Sequence, residues 1–264
     1  MFFVPVARIA RLVALALLSV ALIAVSAPGR ADTVDSQWPV DTKGDGCSAP
    51  VWPGDASHRD PRRVLVVGDS LIRNSRTLLE NKLQKKGWLP TVRCWGAKGT
   101  DWGLQQIQRA RALKQLPNTV IVSLGTNDIW WLHLDLAQGI DDMMEAIGSK
   151  REVYWVNLWF GPNGYDDLPN PTGANRILRD KAKQYPNLTI INFAKAFRKA
   201  DAADPDVGWE DGVHLNTAGN KVRVRAIAQA IGQPGGSHKP KPEPTPTPIP
   251  EPTPTPAATS STTP

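Results

Sequence analysis

From about residue 60 the chain alternates short, continuous apolar runs with longer stretches whose apolar positions recur every three or four residues. The runs Arg63–Val67, Thr91–Cys94, Thr119–Leu124, Val153–Leu158 and Leu188–Phe193 are rich in Val and Ile. They read as five short strands, mostly buried on both faces. Between them, Ser70–Lys86, Asp101–Lys114, Leu134–Gly148 and Thr172–Tyr185 have helical spacing, and a last helix is expected at Thr217–Ile231. Strands separated by helices of this length imply right-handed crossovers and a parallel sheet covered on both faces. The pattern predicts an α/β protein of three layers, α/β/α, around a five-stranded parallel sheet in flavodoxin-like order. A reactive site would lie at the carboxyl ends of the strands.

The two ends depart from this pattern. Arg8 and Arg11 precede an apolar run from Leu12 to Val25 and small residues around Ala27 and Ala31, the layout of a secretory signal peptide over residues 1–31. An uncleaved anchor would need an apolar stretch of roughly 18 residues or more, and this run is shorter. No Cys follows it closely, so a lipoprotein is not expected. Residues 32–60 form an N-terminal arm, 61–232 the folded domain, and 233–264 a Pro/Thr-rich tail in which Pro alternates from Pro240 to Pro256. Such a tail cannot bury a core and favours extended polyproline II, as a disordered end or as a semi-rigid spacer through a cell-wall layer. The expected location is therefore extracytoplasmic, secreted or associated with the cell wall, with no membrane span after processing.

The formal net charge is +6, and loss of residues 1–31 removes Arg8, Arg11 and Arg30 but no acid, leaving +3. The remaining basic residues are mixed with acids, as at Arg76, Glu80, Lys82, Lys85 and Lys86, so a nucleic-acid partner is not expected. Cys47 and Cys94 are the only cysteines, and in an exported chain such a pair reads as a disulfide tying the arm to the second strand. No Cys/His/Asp cluster has metal-ligand spacing, and no metal or cofactor is expected.

Three blocks, each at the end of a predicted strand or in a loop just before a helix, carry the chemistry: Gly68-Asp69-Ser70-Leu71, Gly125-Thr126-Asn127-Asp128 and Asp211-Gly212-Val213-His214. Ser70 follows an apolar run and opens a helix, so its hydroxyl can meet a substrate carbonyl and its N–H can stabilise an oxyanion. Taken alone it could equally be an N-cap serine. Asp211, three residues before His214, can hold one imidazole nitrogen while the other faces Ser70, giving a base with its orienting acid. Asn127 offers a side-chain NH2 to the same oxyanion, although an Asx turn would also use it. A further donor is expected from the loop Trp95–Thr100, where Gly99 is favoured over Gly96. Trp130 and Trp131, next to Asn127, are either substrate contacts or rim packing, whereas Trp155, inside a strand, is expected in the core.

These blocks, in this order, resemble those of the SGNH, or GDSL, hydrolase superfamily over roughly Arg63 to Ile231. The resemblance implies a serine esterase or acyltransferase with Ser70, a glycine of the second block, Asn127 and His214 as its named residues and Asp211 completing the triad. At the second block Cys94-Trp95 stands where Asn-Ala is more usual before the glycine. The absence of Gly-x-Ser-x-Gly argues against the separate α/β-hydrolase fold. Tyr185-Pro186-Asn187 and Trp209–Asn216 are similar to the extracytoplasmic SGNH domains of bacterial cell-envelope O-acetyltransferases. Those proteins usually carry a multi-span acyltransferase module that is not seen in this sequence.

The expected function is a secreted serine esterase acting on acyl or acetyl esters through a Ser70 acyl-enzyme. The alternatives are an O-acyltransferase acting on a cell-envelope glycan or lipid and a non-catalytic wall-binding protein. A monomer is expected, and kcat/KM should fall on the acid side as His214 takes up a proton.

Overall fold

The computed structural model describes residues 46–47, 60–161 and 165–235. The expected signal peptide, the arm apart from Gly46, Cys47 and Asp60, and the tail from residue 236 lie outside the described residues. Among the described residues the strands are β1 (Gly46–Cys47), β2 (Arg63–Gly68), β3 (Leu89–Trp95), β4 (Thr119–Ser123), β5 (Glu152–Val156) and β6 (Leu188–Ile191). The helices are α1 (Ser70–Gln84), α2 (Thr100–Ala112), α3 (Thr126–Trp130), α4 (Leu136–Ile147), α5 (Thr172–Gln184), α6 (Phe193–Asp201) and α7 (Thr217–Ala230).

The strands form one sheet in the order β1-β3-β2-β4-β5-β6. From β3 to β6 every pairing is parallel, in the expected flavodoxin-like order. The sheet has six strands rather than five, because β1 adds antiparallel to the outer edge of β3, with Cys47 opposite Cys94. A two-residue strand has no period to read. The Cys47–Cys94 disulfide fastens it there. Chain-entropy reasoning for a loop of this length gives about 4 kcal/mol of stabilisation, so reduction is expected to lower the denaturation midpoint in urea. An unchanged midpoint would show that the bridge is energetically idle.

Side chains alternate across the sheet and separate two cores. On one face Val64, Val66, Ile121, Tyr154 and Val156 pack against α1, α6 and α7, through Ile72, Leu79, Phe193, Phe197 and Ile227 among others. On the other, Leu65, Val67, Val120, Val122 and Trp155 pack against α2, α4 and α5, through Ile107, Ile140, Met143 and Leu178. Each such side chain contributes about 1.5–3 kcal/mol on burial, which is why the central strands carry unbroken apolar runs. Trp155 lies in the core as expected, fully buried, with its indole N–H donating to the Leu124 carbonyl at 3.0 Å.

Two helices are additional to those the pattern predicts. The run Leu188–Phe193 does not continue as a strand to its end: Asn192 caps α6 by accepting from the Lys195 N–H at 3.1 Å, and Phe193 is the first buried residue of that helix. Helix α3 is a single turn that starts where Gly125, at a φ of 120°, swings the chain off β4. Only a residue without Cβ adopts that angle freely.

Candidate active site

The carboxyl ends of β2 and β4 and the loop before α7 converge on one cleft of about 410 Å³. At the end of β2, Gly68 lets α1 fold back tightly: a Cβ there would stand 2.8 Å from Ile72 Cβ. Asp69 caps the helix, its Oδ1 accepting the Leu71 N–H at 2.9 Å. Ser70 therefore occupies the first turn of α1 with its hydroxyl free of capping duty, and it lines the cleft.

The third block is held as a small hairpin. Trp209 and Leu215 form an antiparallel bridge, the Glu210 N–H donates to the His214 carbonyl at 2.7 Å, and the Gly161 N–H donates to the Gly212 carbonyl at 2.7 Å. Inside it, Asp211 Oδ1 accepts the backbone N–H of Val213 at 3.0 Å and of His214 at 2.7 Å. Asp211 Oδ2 lies 2.7 Å from His214 Nδ1, and His214 Nε2 lies 2.9 Å from Ser70 Oγ. An ionised Asp211 accepts only, so Nδ1 carries the proton and Nε2 is left to accept from the serine hydroxyl.

Asn127, on α3, faces the same cleft. Its Nδ2 donates to the Lys98 carbonyl at 2.9 Å and, more loosely, to Asp69 Oδ2 at 3.4 Å, while its Oδ1 accepts from Trp131 Nε1 at 3.0 Å. Trp130 and Trp131 both line the cleft; Trp131 is 50% exposed and Trp130 leans on Tyr165 with ring centroids 4.9 Å apart. Trp159 instead lines a separate cleft with Phe160 and Trp209.

In the loop after β3 the cleft is lined by Gly96 and Ala97, and Gly99 is not among its lining residues. Gly99 is the N-cap of α2, packed so that a Cβ would come within 2.9 Å of Leu132 Cδ1 and 3.1 Å of Asp128 Cγ. The favoured glycine, Gly99, thus lies at the start of α2, whereas Gly96 lies at the wall of the cleft. Asp128 lies behind the cleft, where its Oδ1 accepts both the N–H and the hydroxyl of Thr100.

The electrostatics divide the carboxylates. Burial pushes Asp69 up to about 6, against the opposing pull of Arg223 and of the Leu71 N–H. Burial also raises Asp128, with the Thr100 hydrogen bonds opposing it. For Asp211 burial pulls upward too, but the hydrogen bonds from the His214 ring and from the His214 and Val213 N–H groups together outweigh it and leave the carboxyl below its usual range. Arg223, buried beneath the site, is pushed down to about 10 by desolvation; it donates to Ser123 Oγ, and its guanidinium sits 4.8 Å from the Phe193 ring.

Because the folded protein holds the Asp69 proton more tightly than the unfolded chain, it binds more protons between the two pKa values. This contribution therefore lowers stability as pH rises from about 4 to about 6, by about 3 kcal/mol in all. Asp69→Asn removes this titration, so the stability difference between variant and wild type is expected to change across that window in urea unfolding. A constant difference from pH 4 to pH 7 would contradict the assignment.

The sequence did not single out Arg223, Thr100 or Lys98 as supports of the site. No local motif marks them, since each acts on residues distant in the chain. Among the described residues no group of three or more His, Cys, Asp or Glu side chains could hold a metal ion, and no helix is long and apolar enough to cross a membrane.

A three-layer sheet presenting a serine, an imidazole and a carboxylate in hydrogen-bonded series has the form of an SGNH-type enzyme acting on esters. Residues 66–222, more than half of the chain, match the model of the GDSL-like lipase/acylhydrolase family, and the chain belongs to that family. Among similar solved structures is the C-terminal catalytic domain of peptidoglycan O-acetyltransferase A from Streptococcus pneumoniae, 18% identical over 64% of this chain and 91% of that one, with a TM-score of 0.54. A member of the lipolytic G-D-S-L family from Veillonella parvula is 17% identical over 63% of this chain and 96% of that one, with a TM-score of 0.51. A family 3 carbohydrate esterase from Talaromyces cellulolyticus is 17% identical over 64% of this chain and 95% of that one, with a TM-score of 0.50. At these identities the likeness concerns the fold. A comparison with curated proteins finds no match.

Proposed function

We propose that the protein is a secreted serine esterase that cleaves acyl or acetyl esters through a covalent intermediate on Ser70. The observation that carries this reading is the continuous series Ser70 Oγ, His214 Nε2, His214 Nδ1 and Asp211 Oδ2, with contacts of 2.9 and 2.7 Å. In the first step His214 Nε2 takes the Ser70 proton as Oγ attacks the ester carbonyl, and the negative charge moves to the former carbonyl oxygen. The Ser70 N–H at the start of α1, the Asn127 amide and a backbone N–H of the Gly96–Ala97 turn are the donors for that oxyanion. Collapse of the intermediate expels the alkoxide, which takes the proton from His214 and leaves an acyl-serine. Water, activated by the same imidazole, then releases the acid. Asp211 keeps Nδ1 protonated and stabilises the imidazolium formed in each half-reaction.

A second reading, transfer of the acyl group to a hydroxyl of a cell-envelope glycan or lipid, is favoured by the half-exposed indole of Trp131, which lines the same cleft as Ser70. An exposed aromatic face in an open cleft fits a sugar ring as acceptor. The fold likeness to a peptidoglycan O-acetyltransferase domain makes a muramyl glycan an apt acceptor to test. A purely wall-binding role has no use for the Ser70-His214-Asp211 series. The signal-peptide pattern and the disulfide support an extracytoplasmic location.

Turnover of short and medium p-nitrophenyl esters, with and without a muramyl or arabinan acceptor, tests the proposal. Free acid alone identifies the esterase, and acceptor-dependent acyl-sugar identifies the transferase. Absence of both, with Ser70 unreactive, would leave wall binding as the better reading.

A further inference from the structure

We infer that Trp131 is a positioning residue that fixes the amide plane of Asn127; this rests on the reading of Asn127 as an oxyanion donor. The two residues are four apart, Asn127 in the single turn α3 and Trp131 capping its C-terminal end, a spacing that brings one side chain over the other. The turn is closed by the Trp131 and Leu132 N–H groups, which donate to the Asn127 carbonyl at 3.3 and 3.0 Å. Trp131 has a large exposed face, yet its indole N–H points inward to Asn127 Oδ1 at 3.0 Å.

An indole N–H can only donate, and a backbone carbonyl can only accept. Asn127 lies between one of each, with Oδ1 on the Trp131 N–H and Nδ2 on the Lys98 carbonyl at 2.9 Å. Reversing the amide would set donor against donor at one end and acceptor against acceptor at the other. The final torsion of an Asn side chain is broad. A single anchor at Lys98 would therefore leave the amide free to pivot. The neighbouring acceptor that would capture it is Asp69 Oδ2, already 3.4 Å from Nδ2. Trp131 opposes that pivot and keeps an Nδ2 hydrogen available to the reacting carbonyl oxygen.

The test is Trp131→Phe, which keeps an aromatic ring and removes the N–H. Loss of one orienting hydrogen bond is expected to lower kcat for p-nitrophenyl acetate about threefold to tenfold. KM should stay within about twofold, because donors to an oxyanion act on the transition state. The same substitution made in Asn127→Ala, itself expected to lose about 10²–10³ in rate, should cost nothing further. An unchanged kcat in Trp131→Phe, or an equal additional loss in the Asn127→Ala background, would overturn the inference, the latter because the indole would then act independently of Asn127. Ser70→Ala runs alongside. Turnover retained there would overturn the reading of the site and this inference with it, whereas turnover abolished there with Trp131→Phe at wild-type kcat would overturn the inference alone.

Discussion

Ser70→Ala is expected to lower ester turnover by about 10⁴-fold or more while leaving the fold intact. The size of the loss follows from the role assigned to Oγ: without it there is no atom to carry the acyl group, and His214 has no proton to take. The intact fold follows from the division of labour at the start of α1. Asp69, not Ser70, caps the helix, and its bond to the Leu71 N–H survives the substitution. The exchange removes one hydroxyl from the wall of an open cleft, and water can replace it as partner of His214. The thermal midpoint is therefore expected to move by only about 4 °C or less, since one hydrogen bond that water can replace contributes about 1 kcal/mol. Activity and stability measured on one preparation separate a lost nucleophile from a damaged fold. Turnover within tenfold of wild type would mean that another group does the chemistry.

Gly139→Ala is expected to destabilise the fold far more than Ser70→Ala, although residue 139 lies outside every site motif. Gly139 lies on α4 where that helix crosses the start of α2, and an added Cβ would stand 2.7 Å from Thr100 Cβ and closer still to its Oγ1. Neither atom can yield by swinging a long side chain. Thr100 must turn or the two helices must part, and Thr100 supplies both hydrogen bonds to Asp128 Oδ1. Overpacking and loss of hydrogen bonds to a buried carboxylate together amount to about 2–5 kcal/mol. For a domain of this size that corresponds to a fall in Tm of roughly 5–15 °C. A shift below about 2 °C would mean that the α2–α4 contact is looser than these distances imply.

What the sequence revealed, and what it hid, has a physical division. β2, β4 and β5 announce themselves because they are covered on both faces, so nearly every residue in them must be apolar. β1 has two residues and α3 five, too few for any period to emerge. α6 was hidden because its first residue, Phe193, is apolar and continues the run of β6; only the capping bond of Asn192 separates them, and that is a three-dimensional fact.

The same division runs through the site. Ser70, Asn127 and His214 were legible as candidates because each stands in a short block at or near the end of an element. Whether they meet was not legible, since Ser70 and His214 are separated by 144 positions. Which of Gly96 and Gly99 lies at the cleft wall depends on how the intervening turn is wound. Ala97 takes the left-handed conformation there, at a φ of 61°, one that glycine adopts more freely and that nothing in the sequence marks. The tie from Trp131 to Asn127 has the four-residue spacing of a helix, but a single turn of helix had first to be known.

The central claim is that Ser70 is an activated nucleophile, and the most direct measurement is the mass of the intact protein after exposure to a fluorophosphonate, followed by peptide mapping. The account predicts a single adduct on the peptide that contains Ser70, absent from Ser70→Ala and formed more slowly by His214→Ala. An unmodified protein, or an adduct on any other residue, would contradict it.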